Sequence, residues 1–161
     1  MSPLEPRAEI SADPEVPLVR ITREFAAPAG RVFRAHAEPE LVAQWLGPRR
    51  YRTEMDHYDC RTGGSYRYLH VGQEGRHEFF GGFHEVRPDQ LIVQTFAYQG
   101  APDDVALQWL EFVDEGAGRS RLVSRALVAS FAARDAFLAG GMEAGMQESY
   151  WRLDELLEAQ S

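Results

Sequence analysis

Between residues 52 and 128 the chain has six runs of alternating side chains, separated by five tight clusters of turn formers. The runs cover 52–58, 65–71, 76–86, 91–98, 105–114 and 120–128. The junctions are Thr62-Gly63-Gly64, Gly72-Gln73-Glu74-Gly75, Arg87-Pro88-Asp89-Gln90, Gly100-Ala101-Pro102-Asp103 and Gly116-Ala117-Gly118. A period of two sends neighbouring side chains to opposite faces of a strand. Connections this short can only join antiparallel neighbours. The pattern therefore demands an antiparallel meander, whatever else the chain does.

The flanks supply the other layer. Residues 18–25 alternate, with Val19, Ile21 and Phe25 on one side, and form a first strand. Pro28 suits a first helical turn, and Val32, Phe33 and His36 share the face that follows. A second short helix starts at Glu38-Pro39, runs through Leu41, Val42 and Trp45, and stops at Gly47-Pro48. Residues 133–159 have helical periodicity, with Met142, Met146, Tyr150, Leu153 and Leu157 on one stripe. Residues 1–15 carry three prolines and no apolar period, which predicts a flexible tail before a single domain over 16–159. The fold class is α+β, an antiparallel sheet packed on one long C-terminal helix.

Composition narrows the function. The net charge of −8 opposes both nucleic acid and anionic membrane surfaces. The lone Cys60 excludes an internal disulfide, and no run is apolar enough for membrane insertion, so the expected address is cytoplasmic. A homodimer stays open.

The tight turns suggest a register. A two-residue turn at Gln73-Glu74 sets Tyr66 opposite Gly81, Tyr68 opposite Phe79 and His70 opposite His77. A two-residue turn at Pro88-Asp89 sets Phe83 opposite Gln94 and Gly81 opposite Phe96. A three-residue loop at Gly116-Ala117-Gly118 sets Leu110 opposite Ser124. All three put the aromatic residues on one inner face, where Gly81 leaves a gap and where Gln94, Gln108 and Ser124 also fall. Buried amides expect each other, water or a ligand. An apolar cavity with a few polar groups is the usual form of a small-molecule site. The expected wall is Trp45, Tyr66, Tyr68, Phe79, Gly81, Phe83, Gln94, Phe96, Gln108, Ser124, Met142, Met146 and Tyr150.

Several stretches occur in a telling order: Arg23-Glu24-Phe25-Ala26-Ala27-Pro28, Val32-Phe33-Arg34-Ala35, Glu38-Pro39-Glu40-Leu41, Trp45-Leu46-Gly47-Pro48, Cys60-Arg61-Thr62-Gly63-Gly64-Ser65-Tyr66-Arg67, Glu85-Val86-Arg87-Pro88 and Gly141-Met142-Glu143-Ala144-Gly145-Met146. Together they resemble the family named after the activator of the heat-shock-protein-90 ATPase, within the START-like, helix-grip (SRPBCC) superfamily. The resemblance spans about residues 18–157. It implies a seven-stranded sheet gripping the final helix, with a pocket between them. The family often carries Trp at the position of Met146 and an aromatic residue at that of Gln94. Superfamily members include lipid carriers, hormone receptors, polyketide cyclases and co-chaperones, so the fold does not dictate chemistry.

Chemical signals are sparse. Parity aims Arg23 and Glu85 inward, where they are expected to form a buried ion pair. His70, His77 and Glu78 have the residue types of a metal site, but alternation turns Glu78 to the other face. No metal, no cofactor and no catalytic residue is expected. The leading reading is non-catalytic binding of a small apolar or aromatic molecule. The alternatives are a cyclase- or dehydratase-type enzyme drawing on Glu85, Arg23, Tyr66 and Tyr68, and a chaperone ATPase regulator. Eukaryotic activators place this domain behind another, for which 161 residues leave no space.

Overall fold

The computed structural model describes residues 6–160. Eight strands form one antiparallel sheet: β1 (Glu9–Ala12), β2 (Leu18–Phe25), β3 (Arg52–Tyr58), β4 (Ser65–Gly72), β5 (Gly75–Arg87), β6 (Leu91–Tyr98), β7 (Ala106–Gly116) and β8 (Arg119–Leu127). Their order across the sheet is β1-β2-β8-β7-β6-β5-β4-β3. The helices are α1 (Ala29–Ala37), α2 (Pro39–Trp45), α3 (Phe131–Ala139) and α4 (Met142–Ala159). One face of the sheet and α4 share a core with α1 that includes Phe25, Phe33, Ile92, Phe112, Leu122, Leu153 and Leu157. The expected α+β grip is present, with eight strands where seven were expected.

The eighth strand lies in the expected tail. Glu9–Ala12 pairs with Val19–Thr22, and the preceding residues are tied to α4. The buried Gln147 side chain accepts from the Ala8 amide (2.9 Å) and donates to the Ala8 carbonyl (3.0 Å). Trp151 donates its indole N–H to the Pro6 carbonyl. These tertiary partners order a segment with no period of its own. The rest of the expected tail, residues 1–5, lies outside the described residues.

The long helix is also corrected. Gly140 and Gly141 break it, Gly141 with φ 80°. That left-handed backbone suits glycine and ends a right-handed helix. Ser130 caps α3 by accepting from the Ala133 amide, and α3 has no buried residue. No described helix is long and apolar enough to cross a membrane.

The expected pairs Tyr66–Gly81, Tyr68–Phe79, His70–His77, Phe83–Gln94 and Leu110–Ser124 are present. Two of the turns behind them differ. Arg87 pairs with Leu91, which makes the loop three residues, Pro88-Asp89-Gln90, with Asp89 at φ 66°. A β-bulge between Phe83 and Glu85 absorbs the extra residue. At the β7–β8 hairpin the loop is two residues, Ala117-Gly118, both left-handed, and the spare residue sits in a bulge between Asp114 and Gly116.

Candidate functional site

The β5 bulge decides the fate of the expected ion pair. It rotates Glu85 out of the parity of Phe83, and Glu85 pairs with Arg87 on the surface (3.1 Å). Arg23 does point inward and is 1% exposed. Its partner is Asp154 of α4, gripped by both terminal nitrogens at 3.0 and 2.5 Å. The guanidinium also lies over Phe25, 4.7 Å from the ring centroid. Sequence reasoning missed Asp154, although a signal existed. Tyr150, Asp154 and Leu157 follow at spacings of four and three, which places a carboxylate on the buried stripe.

The concave face changes character along its length. Near α1 it is sealed by Phe25, Phe83, Ile92, Phe112 and Leu122, all buried. Along β6 the same parity runs from buried Ile92 through half-buried Gln94 and Phe96 to Tyr98, 39% exposed. Leu110 and Gln108 on β7 and Met146 and Met142 on α4 are half-buried too. Aromatic rings continue across this part of the sheet. Tyr68 stacks on Phe79 (centroids 5.4 Å apart) and Phe79 on Phe96 (5.5 Å).

Polar groups on this face divide into committed and uncommitted. Gln94 donates to Gln108 across the strands (2.8 Å), so the amides do satisfy each other. The Ser124 hydroxyl donates to the Ile21 carbonyl (3.3 Å). Tyr58 donates to the His36 carbonyl and Trp45 to the Ala35 carbonyl, which makes Trp45 a core anchor stacked on Tyr150. The Tyr66 hydroxyl donates to the Thr95 carbonyl at 2.6 Å. Among the described residues, the hydroxyls of Tyr68 and Tyr150 have no such partner. Burial raises the pKa of both phenols, that of Tyr150 to about 12.

Gly81 is not a gap. A Cβ there would lie 2.0 Å from the Thr95 carbonyl oxygen and 2.7 Å from the Tyr66 hydroxyl. The glycine is present because a neighbouring backbone approaches it closely.

The histidines play structural parts. His36 donates from Nδ1 to the Val32 carbonyl, and burial pulls its pKa down to about 4. Thr53 donates its one hydroxyl proton to the Leu46 carbonyl and so accepts from His70 Nδ1 (3.0 Å). Burial, then the charges of Arg152 and His77, bring His70 down to about 4. Glu78 pairs with Arg67 on the opposite face from His70 and His77. Cys60 is half-buried, and burial followed by Asp59 pushes its thiol up to about 12, away from the reactive thiolate.

An open groove of about 700 Å³ lies beside the β3 edge, lined by Arg49, Arg50, Tyr51, Arg52 and Arg152 among others, and it shares no residue with the expected wall. Its guanidiniums are engaged: Arg49 with Glu155, Arg52 with Glu54, and Arg152 with the carbonyls of Gly47 and Gln44.

Residues 26–158 match the family described as Activator of Hsp90 ATPase homolog 1-like protein. The chain belongs to that family. A solved protein of Rhodobacter sphaeroides is 25% identical, with a TM-score of 0.86 over 95% of this chain and 99% of its own. Protein Ms6760 of Mycobacterium smegmatis is 25% identical, with a TM-score of 0.83 over 95% and 98%. DynU16, from the dynemicin biosynthetic locus, shares the fold at 20% identity and a TM-score of 0.66, over 89% of this chain and 48% of its own. No curated protein matches.

Within the residues that match the Activator of Hsp90 ATPase homolog 1-like family, Trp45-Leu46-Gly47-Pro48 can be read physically. Gly47 takes φ 93° and donates its amide to Ser149 on α4 (2.8 Å), and Ser149 passes its proton to the Gly145 carbonyl. A Cβ on Gly47 would strike the His70 ring at 2.6 Å. The motif therefore pins the N-terminal half of α4 against α2 and β4, which fixes where Met146 and Tyr150 stand relative to the sheet.

Proposed function

We propose that this protein binds a small apolar or aromatic molecule between the concave sheet and α4, without transforming it. The observation that carries the reading is the unfinished apolar surface of Phe79, Phe96, Leu110 and Met146, half-buried on a face whose other end is closed. A face of this kind gains free energy, roughly 25 cal/mol per Å², from any apolar surface that covers it. The enzyme alternative loses its carboxylate, because Glu85 is on the surface with Arg87. Arg23 is occupied by Asp154 and is not free to act as an acid or a clamp.

Native mass spectrometry of gently purified protein tests the reading. A co-purified neutral small molecule, released on unfolding, is the expected result. A protein that arrives empty and fails to take up any apolar compound offered in excess would contradict it.

A further inference from the structure

The tyrosines that lie on or against the concave face are not equivalent. Tyr58 and Tyr66 spend their protons on the carbonyls of His36 and Thr95. Tyr68, on β4, and Tyr150, on α4, have no hydrogen-bond partner among the described residues. Both side chains are nevertheless inside, at 5% and 8% exposure. Fully enclosed polar atoms without a partner, among the described residues, are Arg23 Nε and Ser120 Oγ. Neither phenol oxygen is among them, so each is unpaired and keeps a little accessible surface. A buried donor without a partner is costly, and a cavity that holds one selects for whatever supplies the missing acceptor.

The surroundings define the chemistry of that acceptor. The wall residues Phe79, Phe96, Gln94, Gln108 and Met146 carry no charge. His70, beside Tyr68, is kept neutral by burial. The nearest cation to Tyr150 is Arg23, 5.9 Å from the ring centroid, with both terminal nitrogens closed on Asp154. A carboxylate brought here would be stripped of water and find no free counter-charge. A neutral oxygen would lose little and gain a phenol proton. The parallel rings of Tyr68, Phe79 and Phe96 offer a flat molecule faces to extend.

We infer that the site selects a neutral, flat aromatic molecule bearing a hydroxyl or carbonyl oxygen, with the hydroxyls of Tyr68 and Tyr150 as the selecting groups, and that it rejects the corresponding carboxylate. This rests on the ligand-binding reading above and adds to it the polarity of the ligand.

Equilibrium dialysis at pH 7 with naphthalene, 2-naphthol and 2-naphthoate tests it. The expected order is 2-naphthol over naphthalene by roughly tenfold, the worth of one recovered hydrogen bond, with 2-naphthoate weakest. In the double variant Tyr68→Phe/Tyr150→Phe, 2-naphthol should fall to the level of naphthalene while naphthalene is unmoved. Each single variant should lose part of the difference, which keeps the test open if the double variant folds poorly. Equal binding of naphthalene and 2-naphthol to the unaltered protein, or 2-naphthoate binding best, would overturn the selection by the tyrosines while leaving the pocket standing. No binding of any of the three would overturn the pocket itself.

Discussion

The Tyr66 hydroxyl reaches the Thr95 carbonyl at 2.6 Å, directly beside Gly81. This pair explains a glycine that otherwise reads as an empty place in the sheet. A side chain at position 81 would have to push the Thr95 backbone away and break the Tyr66 bond. Gly81→Val is therefore expected to destabilise the fold by roughly 3 kcal/mol, the upper part of the range for overpacking. Urea melts measure this directly, and a variant as stable as the parent would contradict the close approach.

Arg23 and Asp154 join β2 to α4 through the core. Asp154→Ala leaves a guanidinium buried without its counter-ion, and removing one partner of such a pair costs about 3 kcal/mol or more. Replacing both, Arg23→Met with Asp154→Leu, should recover most of that loss, because the cost lies in the stranded charge. A double variant no better than Asp154→Ala would show that the pair itself holds the helix in place.

The buried histidines predict a pH dependence. His36 and His70 have folded pKa values near 4, below the ordinary 6.5. As pH falls below 6.5 the unfolded chain takes up protons that the folded chain refuses. Stability is therefore lost between pH 6.5 and 4, by about 2 kcal/mol per histidine at pH 5. His36→Phe should remove close to half of this histidine-linked loss between pH 7 and 5, measured by denaturant melts. An unchanged slope would place the dependence elsewhere.

The inner amides test how the wall is satisfied. Gln94→Leu alone strands Gln108 and is expected to cost about 1–2 kcal/mol, whereas Gln94→Leu with Gln108→Leu should be near neutral. If the single change costs nothing, the amides are already served by solvent.

Alternation and turn residues made the meander and the apolar parity of its concave face legible. The register between Phe83 and Gln94 came out right although the turn assumed for it was one residue too short, because the bulge at His84 returned the residue that the loop took. A bulge has no composition signal, so Glu85, just beyond it, was placed on the wrong face. Gly81 was visible as a glycine, but the approaching Thr95 carbonyl leaves no mark in local sequence, whereas Gly140-Gly141 was a helix-stop signal that the apolar stripe on either side of it masked. β1 was missed because its order comes from Val19, Gln147 and Trp151, all distant in the chain. Asp154 could have been found, since a lone carboxylate on an apolar stripe asks for a buried cation.

The central claim is a site bordered by Met146, and one fluorescence titration addresses it. N-Phenyl-1-naphthylamine, a neutral probe that brightens in apolar surroundings, is titrated into the unaltered protein and into Met146→Trp. Tryptophan enlarges the half-buried Met146 side chain, which on the proposed reading would fill the binding space. The account predicts saturable binding of one probe by the unaltered protein, and at least a tenfold loss in Met146→Trp with no drop in melting temperature. Probe binding of equal strength to both proteins, or no saturable binding to either, would contradict it.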